Sequence, residues 1–332
     1  MTLIMAQQQP RTLATPETIS KELFDRYMQF LAGKSEGTKS TYTRNTRPFL
    51  QYVHDHGIQR PTREDIISFS NDLKAKGLRA STRRGYLGAT RLFLQWCTVE
   101  LGDPYYNTLF LGIQMPKLDK EFARDYMTPA QVVDVLEATE GEDAHSARDY
   151  AIIMLAVCTG LRIVEITRAD VGDLGKAGRN VKLRVWGKGR EAKDNFVIVP
   201  ADADAAIRRY LATRPNRKPN EPLFISMSNR NNGGRMTTRS VGRIIKSAML
   251  RANLDSERMT PHSTRHTFVT LSIEGGETVQ NAQMAARHDR IDTTMRYAHM
   301  LDKENNTCSR TVQSAIRSAT ADRITTQSTG RA

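Results

Sequence analysis

One short stretch constrains the fold of this chain more than any other. Val181-Lys182-Leu183-Arg184-Val185 alternates apolar and charged residues, Gly187-Lys188-Gly189 follows as a turn, and Phe196-Val197-Ile198-Val199 returns. Period-two alternation on either side of a glycine turn describes a β-hairpin with one face buried. Nearly everywhere else the apolar residues recur at spacings of three and four, which only a helix brings to one face. The fold class that follows is mainly α with a small β-sheet or hairpin.

The helical pattern begins at Ser20, after a polar opening expected to lack order (residues 1–19). Leu23, Tyr27, Phe30 and Leu31 mark a first helix, which Gly33 and Gly37 interrupt. A second follows Thr38, with Tyr42, Phe49, Leu50 and Val53 on one face. Thr62 is placed to cap a third, carrying Ile66, Ile67, Phe69 and Leu73 and ended by Gly77. Ser81 opens a fourth, with Tyr86, Leu87, Phe93, Leu94 and Trp96. These four are expected to make a domain over 20–111. Residues 112–126 lack periodicity, carry Pro116 among mixed charges and read as a linker. Thr128-Pro129-Ala130-Gln131 is a helix start, with threonine as cap, proline at the first position and glutamine at the third. It opens a second domain over 127–301. A buried helix is expected over Ala147 to Cys158, and others around 201–213, 238–253, 263–274 and 277–286. The tail 302–332 is rich in Ser, Thr and Arg, with one short helix expected around Val312 to Ile316.

Charge narrows the classes of partner. Forty-nine Lys and Arg against 36 Asp and Glu give a net +13, a field that favours a polyanion. The excess is divided along the 332 residues, with 16 basic and 10 acidic side chains in 1–118 and 33 and 26 in the remainder. It is therefore not confined to a basic tail. No apolar run reaches the length of a membrane helix, no basic amphipathic helix with a bulky apolar face is visible, and no secretory leader opens the chain. Three widely spaced cysteines, Cys97, Cys158 and Cys308, fit neither a disulfide framework nor a zinc site. No membrane partner and a cytoplasmic location are expected.

Several residues could carry chemistry. Arg79, Arg83, Arg84 and Arg91 lie on one predicted helix with Arg44 on another, and such cations suit a phosphate backbone, although a solvated helix face has the same composition. In Thr159-Gly160-Leu161-Arg162-Ile163-Val164-Glu165-Ile166 an arginine follows a glycine that ends a buried helix. Lys188 sits between two glycines at the hairpin tip. His262-Ser263-Thr264-Arg265-His266 opens a later helix, and His288 and Tyr297 follow nine residues apart. Singly, each has an ordinary explanation: an arginine can satisfy a helix C-terminus, a turn lysine is usually solvated, and a lone histidine is more often structural.

In this order, Arg162, Lys188, His262, Arg265, His288 and Tyr297 closely resemble the active site of the tyrosine recombinase (phage integrase) family, of Xer/integrase-like type. TGLRIVEI, VWGKGREAKDNFVIVP, TPHSTRHTFVT and RHDRIDTTMRYAHM carry the resemblance, which spans roughly 20–300. The chain departs from the family at Arg287, where glycine is usual. The resemblance implies a four-helix core-binding (SAM-like) domain joined to a tyrosine-recombinase catalytic domain. It also implies cleavage and rejoining of double-stranded DNA through a 3′-phosphotyrosine and a Holliday junction, by a homo-tetramer on two short inverted-repeat sites. The tail would pack into a neighbouring protomer, and the little chain before the four-helix module leaves no room for an arm-site-binding domain.

The residue types suit that chemistry. Tyr297 is the implied nucleophile, and Arg162 and Arg265 are planar forks suited to a five-coordinate phosphate. By the same resemblance Lys188 would protonate the leaving 5′ oxygen, with Lys193 as the runner-up. His262 assists deprotonation of the phenol, whose ordinary pKa is near 10, and His288 hydrogen-bonds the scissile phosphate. Glu165 would buttress the active-site arginine. Walker A, GxGxxG and HExxH patterns are absent, so no cofactor or metal is expected. The alternatives are a type IB topoisomerase-like relaxation activity and a catalytically silent DNA-binding module.

Overall fold

The computed structural model describes residues 19–118, 125–186, 192–288, 291 and 294–295. The chain divides into two compact units, Met1–Glu121 and Phe122–Ala332. Lys188 and Tyr297, the hairpin turn and the tail with its expected helix all lie outside the described residues. No helix among the described residues is long and apolar enough to cross a membrane.

In the first unit α1 (Lys21–Phe30), α2 (Glu36–Asp55), α3 (Arg63–Ala75) and α4 (Ala80–Glu100) surround one core, followed by the short α5 (Tyr105–Thr108). The ends follow local chemistry. Ser20 Oγ accepts the Leu23 N–H, and Thr62 and Asp65 form a reciprocal capping box on α3. Two boundaries differ from expectation. Ser35 caps α2, so the helix starts at Glu36 and takes Gly37 into its first turn; α4 starts at Ala80 with Arg79 at its N-cap. A glycine inside a first turn is tolerated when a preceding serine supplies the cap and the core-facing stripe begins later. The stripes of all four helices meet in a cluster that includes Leu23, Tyr27, Phe49, Ile66, Phe69, Leu87 and Phe93. Tyr27 stands edge-on to Phe93 at 5.1 Å, an arrangement that stabilises by about 1 kcal/mol beyond its buried area.

The second unit is built around α7 (Ala144–Thr159), whose Ala151, Ile152, Ile153, Leu155 and Ala156 are all buried. Apolar on every side, it serves as the axis on which the other elements pack. Before it comes α6 (Pro129–Glu137), opened by the Thr128/Gln131 capping box with Pro129 at the first position; after it comes the short α8 (Ile163–Arg168). Three antiparallel strands follow in the order β1 (Leu174–Ala177), β2 (Asn180–Val185), β3 (Asn195–Val199). The register pairs Leu183 with Val197 and Val181 with Val199. Leu183, Val185, Val197 and Val199 are buried, whereas Arg184 and Phe196 face outward, as the alternation requires. The sequence leads to two strands, and β1 is the third. Its residues, Leu-Gly-Lys-Ala, carry no apolar alternation; it joins because β2 offers an unpaired edge one tight turn away. Then come α9 (Ala201–Ala212), α10 (Thr238–Arg251), α11 (Ser263–Glu274) and α12 (Val279–Ala286). Helices α9 and α11 pack on α7, α12 packs on α11, and α10 packs on α8.

Candidate active site

The site grows from two helix ends. Helix α7 stops at Gly160, whose left-handed backbone (φ 58°) turns the chain out of the helix. A side chain there is excluded twice over, by that φ and because its Cβ would strike the Phe268 ring of α11. The turn delivers Arg162 to the start of α8. Helix α12 stops at Arg287, also left-handed (φ 55°, ψ 49°). There the Arg287 N–H reaches Met284 O and the His288 N–H reaches Gln283 O at 3.1 Å, the paired bonds of a Schellman ending. Glycine is the residue that takes this position without strain, and any other costs about 1 kcal/mol. Arg287 takes it, and His288 follows directly.

Helix α11 supplies the group that joins these ends. Arg265, 6% exposed, donates Nη1–H to Gly160 O at 2.6 Å and Nη2–H to Ala286 O. Its Nε–H points at His288 Nε2, 3.3 Å away. That nitrogen accepts there, and Nδ1 faces Thr294 Oγ1 at 2.8 Å. Arg162 donates Nη2–H to Arg287 O at 3.0 Å. Two arginines from elements a hundred residues apart are thus held by consecutive carbonyls, 286 and 287, of the turn that presents His288.

Glu165 completes the arrangement. Its carboxylate accepts the Arg162 backbone N–H at 2.7 Å, Arg162 Nη1–H at 3.0 Å and Arg287 Nη2–H at 2.8 Å. The acid is 6% exposed, Arg287 10% and Arg162 26%. Two of Arg162's five N–H donors are used in this way, and the side chain keeps an outward edge. In the sequence Glu165 is legible only as a buttress for Arg162; that it is shared with Arg287 is not, because 122 residues separate the two.

The other predicted residues fall as follows. His262 is the exposed N-cap residue of α11, three positions before Arg265. Lys193, the runner-up proton donor, has its Nζ on Asp170 Oδ2 at 2.6 Å and on Asp173 Oδ2. Arg235 also grips Asp170. Burial pushes the Asp170 carboxyl up, but the hydrogen bonds and charges of Lys193 and Arg235 outweigh it and hold the group below the ordinary range. Lys193 is thereby tied into the base of the sheet, which does not suit a group that must deliver a proton to DNA. In the first unit Arg44, Arg84 and Arg91 are exposed along α2 and α4, and Arg79 is exposed at the N-cap. Arg84 donates to Pro116 O at 3.2 Å. Arg83 is half-buried, with its Nε sealed from solvent and without a hydrogen-bond partner among the described residues, and so departs from the expected open basic face. Motif order does not single out Arg239 and Arg243, which are exposed and four apart on α10 beside α8. Their spacing on an amphipathic helix is the signal that the sequence offers for them.

Comparison with known proteins bears on the whole arrangement. Residues 125–304 match the Phage integrase family model, and residues 22–100 match the phage integrase N-terminal SAM-like domain. The chain is 30% identical over 270 residues to the tyrosine recombinase XerC of Pelobacter propionicus, covering 80% of this chain and 85% of that protein. It is 28% identical to XerD of Oceanobacillus iheyensis, covering 84% and 93%. In fold it is similar to the XerH site-specific recombinase bound to palindromic difH substrate (TM-score 0.68, 17% identity, 87% of this chain and 84% of that one). It is likewise similar to a lambda integrase fragment bound to a COC′ core site (TM-score 0.61, 16% identity, 81% and 95%). A SAM-like helical unit, a catalytic unit of integrase fold and the motifs converging on the α12 turn agree on one family: this chain is a tyrosine recombinase, an enzyme of the phage integrase family acting in DNA recombination.

Proposed function

We propose that this enzyme is a site-specific recombinase that cuts and rejoins double-stranded DNA at short inverted-repeat sites, with Tyr297 as nucleophile. The observation that carries the proposal is the attachment of Arg162 and Arg265 to adjacent carbonyls of the turn preceding His288. Fixed guanidinium groups around one point are what a phosphate needs as it gains negative charge and a fifth oxygen. The Tyr297 oxygen attacks phosphorus and loses its proton to His262. The bond to the 5′ oxygen breaks, that oxygen takes a proton from Lys188, and the 3′ end remains as a phosphotyrosine. Reversal by a 5′-hydroxyl from a second duplex rejoins the strand, since the tyrosyl ester retains the bond energy of the original diester. Strand exchange in pairs through a Holliday junction, by four copies on two synapsed sites, is the use we propose for that reversibility. The tail 302–332 is the segment we assign to contacts between copies. A cytoplasmic location suits a DNA substrate.

The test is a duplex carrying an inverted repeat, selected by binding from a randomised pool and nicked beside the cleavage position so that the released fragment diffuses away. The wild-type protein is expected to accumulate a covalent adduct that Tyr297→Phe abolishes. Binding without adduct by the wild type would overturn the catalytic proposal in favour of a silent module.

DNA affinity is expected to depend on the α4 cations. Arg84→Ala with Arg91→Ala should weaken binding and reduce the slope of log K against log salt by about 0.9 for each phosphate no longer neutralised. Titrations at four or five salt concentrations measure this, and an unchanged slope would assign both side chains to solvent.

A further inference from the structure

We propose that Arg287 is a positioning residue of the active site: by neutralising buried Glu165 it leaves the positive charge of Arg162 available to the scissile phosphate. The inference rests on the assignment of Arg162 to that phosphate and concerns how its charge is maintained. Arg162 next to Glu165 alone is a neutral pair, and a neutral pair attracts a phosphate weakly. With Arg287 on the second carboxylate oxygen, two cations share one anion, and the cluster carries a net single positive charge. The low exposure of Glu165 and Arg287 limits solvent screening, so this charge is felt at the more exposed Arg162 edge.

Stability is a poor explanation for the arrangement. Arg287 occupies a left-handed position that glycine would fill without strain. Its Nε is buried with no hydrogen-bond partner among the described residues, a further cost. Buried ion pairs often gain little over apolar replacements. Two costs set against a small gain at one residue are accounted for if the charge serves the reaction. The Arg287 carbonyl also holds Arg162 Nη2, a contact any residue in the same backbone conformation would keep. The side-chain charge is therefore separable from the backbone role by mutation.

The experiment measures single-turnover adduct formation and DNA affinity on the nicked duplex for the full-length protein and four variants. Arg287→Gly keeps the turn and removes the charge. It is expected to form adduct about tenfold more slowly, with DNA affinity unchanged and melting temperature equal or higher. Arg287→Lys, which keeps the charge, is expected to retain most of the rate. The decisive variant is Arg287→Gly combined with Glu165→Gln. Removing the carboxylate that then neutralises Arg162 should restore most of the rate, whereas Glu165→Gln alone should not accelerate the enzyme. A merely structural Arg287 predicts that the two losses add. Additive losses, or an Arg287→Gly variant as fast as the wild type, would overturn the inference while leaving the recombinase assignment intact. If the wild type forms no adduct, the recombinase assignment falls and takes this inference with it.

Discussion

Arg265→Ala is expected to damage both the chemistry and the fold. The two losses are comparable in free energy. In the role proposed for Arg265, loss of its guanidinium from the developing phosphate charge should lower the cleavage rate by about 10²–10³. The structural loss arises because Arg265 also satisfies the carbonyls of Gly160 and Ala286, at the ends of α7 and α12, and touches His288. Alanine leaves two buried acceptors unpaired, at about 3 kcal/mol together. For a unit of this size the melting temperature should fall by about 10 °C. Arg265→Lys separates the two effects: it restores the charge but cannot span both carbonyls, so part of the stability should return with little of the rate. Scanning calorimetry and single-turnover adduct formation give the two numbers. A melting temperature unmoved by Arg265→Ala would mean that these carbonyls find other donors and that the clamp contributes nothing.

Arg162→Ala is expected to cost a similar factor in cleavage, about 10²–10³, yet to leave stability nearly unchanged. The difference lies in what each arginine leaves behind. When the Arg162 side chain is removed, the part-buried Arg287 carbonyl loses one donor, but Glu165 still receives Arg287 Nη2–H and the backbone N–H of residue 162, so no buried charge is stranded. The side chain itself is the most exposed member of its cluster. A stability change below about 1 kcal/mol and an unaltered DNA affinity are therefore anticipated. A large drop in melting temperature would show that Arg287 cannot hold the carboxylate alone. Comparable losses of DNA binding and cleavage would remove Arg162 from its assigned role.

These two arginines also mark how far the sequence can be read. Local chemistry is legible wherever it acts within a few residues. The capping boxes at Thr62 and Thr128, the buried α7 and the alternating strands β2 and β3 all follow from side chains close in sequence. Strand β1 is not legible because its pairing is made by backbone groups, which four residues reading Leu-Gly-Lys-Ala do not advertise. The start of α2 lies earlier than expected because Gly37 reads as a break, whereas Ser35 has already capped the helix. At the site, the motifs supply the candidate residues and their order, and of these Arg162, Arg265 and His288 meet at the α12 turn. Lys193, the runner-up proton donor, shows what motif order leaves out: its Nζ is clasped by two carboxylates, 23 and 20 positions away.

What the sequence determined by itself was the longer helices, the strands β2 and β3 and the inventory of chemical groups, because capping, periodicity and motif order act between near neighbours. Which groups share a partner was left to the tertiary structure. Glu165 joins Arg162 across one helical turn but Arg287 across 122 residues, and Arg265 reaches a carbonyl 105 residues upstream and another 21 downstream. Such bonds exist only once α7, α11 and α12 have packed, since the apolar contacts between those helices, rather than any local preference, fix which helix ends come face to face.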